Sequence, residues 1–307
     1  SYYNRKTTDM LLRIPIPAFT GVQTPGFTNG GDVLNKGIEV SLGYRKTAPG
    51  SFFYDVSVNL SHNTNKVTRL SNSLAFISSG NARTTVGSSI GEFYGYVMDG
   101  LFQTAAEVQK HAFQTNGTAP GDIRFKDLNN DGVIDQNDRT KIGNPWPELM
   151  YGLMANFGWK QFDLSLALQG VSGNDIYANW KSGTEGSNFF NYDLQMLNAW
   201  KSEGSGNSIP RVNVNNPNNN LRESTYFVEN GSYLRLKHIQ LGYTIPLKEM
   251  NIIKKIRIYI ASENLLTITK YPGFDPEISN RSSLSIGQDS GLYPQARTIT
   301  AGLNLRF

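Results

Sequence analysis

The chain has 307 residues, with 29 Lys and Arg against 25 Asp and Glu, a formal charge of +4 and 18% charged residues. Cysteine is absent, which excludes disulfides, thiolate zinc sites and thiol redox chemistry. The three histidines, His62, His111 and His238, are far apart, and the basic residues are scattered rather than gathered into the face that nucleic acid requires.

No stretch approaches the ~18 consecutive apolar residues of a membrane-spanning helix. The dominant signal is instead period two, in which successive side chains of a strand point to opposite faces. A first strand is expected over 2–14. In 33–46, Ile38, Val40, Leu42 and Tyr44 alternate with small or polar neighbours. Tyr54, Val56, Val58 and Leu60 do the same within 52–66. Leu149 to Phe157 carries the pattern in 148–158, and Phe162 to Leu168 in 161–171. It returns with Ile239, Leu241, Tyr243 and Ile245 in 232–246, with Ile256, Ile258 and Ile260 in 254–266, and with Ile299 to Phe307 in 297–307. Around Lys237 and His238 the phase slips, because Leu234 and Leu236 are even while Ile239 onward is odd; a β-bulge is expected there.

The connections add a second pattern. Short turns near 47–51, 159–160 and 247–253 alternate with longer segments at 15–32, 67–147, 172–231 and 267–296. Antiparallel neighbours bring every second connection to the same side, and outer-membrane barrels have short turns on one side and long loops on the other. Aromatics near the ends of the apolar rows (Tyr44, Tyr54, Phe157, Trp159, Phe162, Tyr243, Tyr259) suit interfacial girdles. The fold expected is all-β: an antiparallel transmembrane β-barrel segment of about eight strands with long extracellular loops. A soluble antiparallel sheet with one wet face is the alternative.

Several motifs resemble the SusC/RagA family of TonB-dependent outer-membrane transporters. They are Tyr2-Tyr3-Asn4-Arg5-Lys6-Thr7-Thr8-Asp9-Met10-Leu11, Asn35-Lys36-Gly37-Ile38-Glu39, Gly121-Asp122-Ile123-Arg124-Phe125-Lys126-Asp127 with Gly143-Asn144-Pro145, Tyr233-Leu234-Arg235-Leu236-Lys237, Glu263-Asn264-Leu265-Leu266-Thr267 and Gly273-Phe274-Asp275-Pro276-Glu277. The resemblance implies that residues 1–307 form the C-terminal part of a larger barrel of about 22 strands. The remaining strands, the plug and the TonB box would then lie outside this chain. It implies location in the outer membrane of a Gram-negative bacterium, contact with lipid, and import of oligosaccharides or peptides. It also implies a SusD-like lipoprotein partner and energy from TonB. Phe307 resembles the terminal aromatic of a barrel-assembly signal. Two other functions are open to the sequence, a self-contained small barrel acting as anchor or adhesin and a soluble calcium-dependent carbohydrate-binding domain.

Residues 127–138 follow the calcium-loop pattern D-x-[DN]-x-[DN]-G. Asp127, Asn129 and Asp131 would supply side-chain oxygens, Val133 its carbonyl, and Asp135 and Asp138 the later positions. Gly132 permits the sharp turn, and Ile134 can anchor the loop. A structural calcium ion pinning segment 67–147 is expected; the bland reading is a set of Asx turns. No catalytic residue is expected. Gly87-Ser88-Ser89-Ile90-Gly91 fits G-x-S-x-G, but no helix pattern follows it. Trp146, Tyr177, Trp180 and Trp200 are the candidate substrate contacts, with Phe189, Phe190 and Tyr192 nearby; packing of the loops is the competing role. Residues 193–201 could form a short helix with Leu194, Leu197 and Trp200 on one face. The Asn-rich tract 213–220 reads as a loop tip.

Overall fold

The computed structural model describes residues 1–13, 27–47, 52–71, 75–186, 191–247, 252–278 and 282–307. Most of the expected 47–51 turn, the middle of the 247–253 turn, Phe189 and Phe190 lie outside them. In chain order, three long strands come first: β1 (Tyr2–Arg13), β2 (Phe27–Lys46) and β3 (Phe53–Leu70). Short pieces follow: β4 (Phe76–Ser79), β5 (Ala82–Thr85), β6 (Glu92–Gly95), β7 (Met98–Leu101), α1 (Ala105–Lys110), β8 (Ile123–Phe125) and β9 (Thr140–Gly143). The hairpin β10 (Leu149–Trp159) and β11 (Phe162–Ser172) leads to β12 (Asp175–Ala178), α2 (Trp180–Gly186) and β13 (Val228–Asn230). The chain ends with β14 (Tyr233–Ile245), β15 (Lys255–Thr269), β16 (Gln288–Asp289) and β17 (Thr298–Arg306).

Eight strands build one antiparallel sheet in the order β1-β2-β3-β10-β11-β14-β15-β17, which is chain order with the short pieces left out. These are the eight expected strands. Its register lines up the apolar positions strand by strand: Leu42 lies opposite Val58, then come Leu153, Leu168, Leu236 and Leu266. A lower row runs through Trp159, Phe162, Tyr243, Ile258 and Leu303. One face of the sheet is thus apolar from strand to strand, and it is exposed: Leu42 is 67% accessible, Leu266 51% and Leu303 58%. No second layer covers it among the described residues.

The opposite face is polar. Ser41 donates to Asn59 at 2.7 Å and Ser165 to Asn156 at 2.7 Å, while Arg45 pairs with Asp55 and Arg257 with Asp163. Tyr259 belongs here and not to the apolar girdle expected of it. It lies opposite Gly242 and Gly302, between the outward-facing Ile258 and Ile260, with Arg257 5.2 Å above its ring. The remaining girdle aromatics gather at the short-turn end, where Tyr44 and Tyr54, and Phe162 and Tyr243, stand 5.6 and 4.8 Å apart.

The expected bulge is present. Ala167 faces His238 and Leu168 faces Leu236, so Lys237 is the extra residue on β14, and β15 shifts beside it where Glu263 faces His238 and Leu266 faces Leu236. The insertion is why both even Leu236 and odd Ile239 reach the apolar face. Strands β2 and β3 run further than the sequence suggests, to Phe27 and Leu70. Their far ends bury Val33, Val67 and Leu70 beneath Ile77 and Ile90, so the lipid-type alternation stops there while the ladder continues.

Beyond those strand ends, most of the buried core lies in the loops. Tyr96, Leu101, Ile123, Phe125 and Ile134 form one cluster, Phe93, Tyr177 and Phe227 a second, and Ile176, Ala178 and Tyr271 a third. Three long connections interlock through them: β6 pairs with β9, β12 with both β13 and β16, and Tyr96 bridges to Ser224. The result is a packed cap at the long-loop end of the sheet.

Candidate functional site

The cap is fastened by buried polar groups. Asp122 is fully buried and takes a bidentate bond from Arg211 at 2.8 and 2.9 Å, plus Asn220 Nδ2 at 3.0 Å and the Ala119 amide at 2.9 Å. Asn218, also fully buried, accepts from Gln114 and Thr118 and donates to the Ile123 carbonyl at 3.0 Å. The Asn-rich tract is therefore not simply a loop tip. Asn218 and Asn220 thread into the cap because an amide side chain can satisfy an irregular backbone's donors and acceptors together.

A second fastening ties the 270–296 loop to the wall. Arg235 is 2% exposed and donates to Thr267 Oγ1 at 2.9 Å, Glu277 Oε2 at 2.7 Å and Asp275 Oδ1 at 2.5 Å. Burial pushes the Asp275 carboxyl up, but the Gln295 and Glu277 amides and Arg235 outweigh it and hold the group below its ordinary range. In α2, burial raises the Glu185 carboxyl despite the donors Tyr226 and Gln195. Burial raises Asp175 too, although the Asn144 amide donates to it at 2.8 Å.

The candidate calcium loop is ordered by its own amides. Asp127 accepts from Asn130 and Gly132 at 2.7 and 2.9 Å, Asn129 from Asp131 at 3.1 Å, and Asp131 from Val133 at 2.9 Å. Asp135 accepts from Asn137 at 2.7 Å and caps the following 3-10 turn, and the fully buried Asp138 accepts from Leu128 and Asp135 at 2.8 and 2.9 Å. Gly132 has φ +85° with open space beside its Cα, and Asn130 has φ +60°. Ile134 is buried, and Phe113 bridges both sides of Val133. The oxygen-only donors suit a hard cation. Among the described residues, however, no three acidic or imidazole side chains converge on a metal-sized point.

The four candidate substrate aromatics have structural partners. Tyr177 is buried, stacked on Phe227 and edge-on to Phe93. Trp146 donates to the Ile90 carbonyl at 2.7 Å, and Trp200 donates to Gln103 at 3.1 Å while covering Gly121. Trp180 donates to Tyr271 at 3.1 Å and lines an open cavity, about 130 Å³, with Asp193 and Phe274. Residues Leu194–Asn198 form a 3-10 helix rather than an α-helix; Met196 turns inward, whereas Leu194 and Leu197 are 78% and 67% exposed. A 3-10 turn stacks positions three apart on one edge, and here that edge faces out. Phe307 follows the last strand and is 67% exposed. Ser89 donates to the Asn65 carbonyl at 3.1 Å, His111 packs on Phe102 and His238 bonds Glu263, so the G-x-S-x-G match gathers no triad.

Residues that the sequence did not single out also stand together. Arg83 lies between the rings of Phe76 and Tyr94, its guanidinium carbon 3.6 and 4.1 Å from their centroids, beside Arg139. Only the cap's strand pairing brings them together, so spacing along the chain carries no trace of it.

No family model matches the chain. Among characterised proteins, TonB-dependent receptor P3 of Formosa agariphila is 34% identical over all of this chain and 32% of its own length. TonB-dependent receptor SusC of Bacteroides thetaiotaomicron is 28% identical over 99% of the chain and 29% of its own length. In sequence and fold the chain is SusC/RagA-like. The structure of the RagAB peptide transporter superposes with a TM-score of 0.80 at 24% identity, over 99% of the chain and 32% of that protein, and shows the fold: the antiparallel wall of a TonB-dependent transporter barrel. The SusC/RagA-like chain thus spans about a third of the length of the relatives it matches. Those relatives are TonB-dependent receptors and a peptide transporter. No helix among the described residues is long and apolar enough to cross a membrane, which leaves crossing by strands untouched.

Proposed function

We propose that the chain supplies part of the barrel wall and outer-loop cap of an outer-membrane, TonB-dependent importer of oligosaccharides or peptides, working with a SusD-like surface lipoprotein. The observation that carries this reading is the apolar face: aligned across the sheet, exposed, and backed by a face of charge pairs and amides. A strand ladder satisfies its backbone groups within lipid, which is the condition for crossing a bilayer without helices. Coupling to TonB falls to the remainder of such a receptor. The chain performs no bond chemistry in this reading. Calcium, if bound by 127–138, has a structural role, supported by the donor pattern and by Gly132.

Spin labels on the intact, membrane-embedded protein test it. Labels at Val40, Leu166 and Leu303 are expected to be relaxed by oxygen in lipid, and labels at Ser41, Gln169 and Asn304 by a water-soluble nickel chelate. The reverse pattern overturns the proposal. A closed small barrel is disfavoured by the ladder itself, since among the described residues β1 and β17 end the sheet without pairing with each other.

A further inference from the structure

The strongest unexplained feature is the polar cavity on the cap sheet β4-β5-β6-β9. It measures about 170 Å³ and is lined by Phe76, Asn81, Arg83, Tyr94, Gln136 and Arg139 among others. Arg83 is held on both faces: Phe76 on β4 lies one side and Tyr94 on β6 the other, at 3.6 and 4.1 Å from the guanidinium carbon. Aromatic rings cover the flat faces of a guanidinium and leave its in-plane N–H groups free, fixing the plane in which they point. Among the described residues the Arg83 side chain has no ion pair and no hydrogen bond. Its ladder partner Glu92 is engaged elsewhere, by Lys141 at 2.7 Å and the Ser89 amide at 3.1 Å.

Arg139 adds a second guanidinium 5.4 Å from the Tyr94 centroid. It reaches the Tyr94 carbonyl at 3.3 Å and Glu223 at 3.7 Å, while its buried Nε has no partner. Of the carboxylates beside these arginines, Glu92 is taken up by Lys141 and Glu223 stands 3.7 Å from Arg139, so the cavity keeps an excess of positive charge and of donors. A planar fork with fixed orientation matches a carboxylate, which takes two parallel N–H bonds. The volume admits the end of a ligand and not a whole oligomer.

We propose that this cavity is a binding site for a ligand carboxylate, with Arg83 as the bidentate donor and Arg139 as its support. The carboxylate could belong to a peptide C-terminus or to an acidic sugar. Its arrival as cargo rests on the import reading above; the site itself does not.

Isothermal titration of the detergent-purified intact transporter tests the site with two probe pairs: trialanine against its C-terminal amide, and methyl glucuronide against methyl glucoside. In at least one pair the carboxylate is expected to bind about tenfold tighter or more than its neutral counterpart, as a charge-assisted fork implies. The pair that discriminates identifies the source. Arg83→Gln is expected to abolish that preference, and Arg83→Lys, which keeps the charge but loses the fork, to weaken it. Equal affinities within both pairs, or an unchanged preference in Arg83→Gln, overturn the proposal. Should the variants not fold, hydrogen-exchange protection of wild-type segments 76–83 and 136–139 by the preferred probe decides, and its absence counts against the site. Binding without uptake into cells would sink the import reading and leave the site standing; uptake with no Arg83-dependent binding would do the opposite.

Discussion

Asp122 shows how much a single side chain does in the cap. Its two oxygens serve Arg211, Asn220 and the Ala119 amide from a position with no solvent access. Removing one partner of a buried, hydrogen-bonded ion pair typically costs about 3–5 kcal/mol, because the other charge stays uncompensated. Arg211 is a quarter exposed, which lets water soften that loss. Asp122→Ala is therefore expected to open the cap locally, read as faster proteolysis within 97–126 and 207–222 with the wall strands unaffected. Two other carboxyls give opposite pH responses. Glu185 is raised in the fold, so its contribution is complete below its ordinary value of 4.5 and is lost as pH rises through the higher folded value. Asp275 is lowered, so its contribution is present above its ordinary value of 3.8 and is lost as pH falls through the folded one. Hydrogen exchange should show segment 180–186 loosening as pH rises from 4.5 and segment 270–278 loosening as pH falls below 3.8. Glu185→Gln should flatten the first response alone. None of this was legible in the sequence, where a Trp or Tyr that packs a loop looks the same as one that stacks on a sugar. Tyr177 and Trp200 differ from ligand platforms only by what the cap places over them.

At the scale of elements, the long strands were readable because each has one apolar side and one polar side, so period two survives along their length. The phase slip at Lys237 was readable for the same reason. The cap was not: its strands are mostly three or four residues, too short for a period, and are placed by tertiary bonds such as Gln114 to Asn218. The wall has a further device in its cross-strand aromatic–glycine pairs. Tyr3 lies opposite Gly37, Phe53 opposite Gly158, Tyr151 opposite Gly170 and Tyr259 opposite Gly302, each ring folded over the bare glycine. A ring across a strand in this way covers backbone that glycine leaves open. A Cβ at Gly302 would sit 2.3 Å from the Tyr259 ring, so Gly302→Ala must evict it. Slower folding or a lower unfolding midpoint in detergent is the expected result, with relief when Tyr259→Ala is added. On the apolar face, Leu166→Arg, well along β11 from the Phe162 girdle, should cost about 2–4 kcal/mol, and Ala167→Arg on the polar face much less. Equal costs would contradict the assignment of the faces.

Over the whole molecule, the wall and the cap are stabilised by different surroundings. The wall has few buried side chains, and its ladder stands between two solvents, whereas the cap has its own clusters and fastenings. The wall's outermost strands, β1 and β17, each present an edge with no strand paired to it among the described residues. Such edges template pairing with other chains. Residues 1–307 produced alone in detergent are thus expected to self-associate, and multi-angle light scattering would show it; a stable monomer would mean that the two edges close on each other.

Because the clusters that order the cap scarcely involve the wall's outward rows, the two can drift apart in sequence at different tempos. On the import reading proposed above, a change of cargo would then need only the cap to be rewritten, like an interchangeable cassette, with the outward lattice left alone. Chimaeras that exchange 71–147, 173–231 and 270–296 between relatives should consequently assemble, and carry the donor's appetite with them.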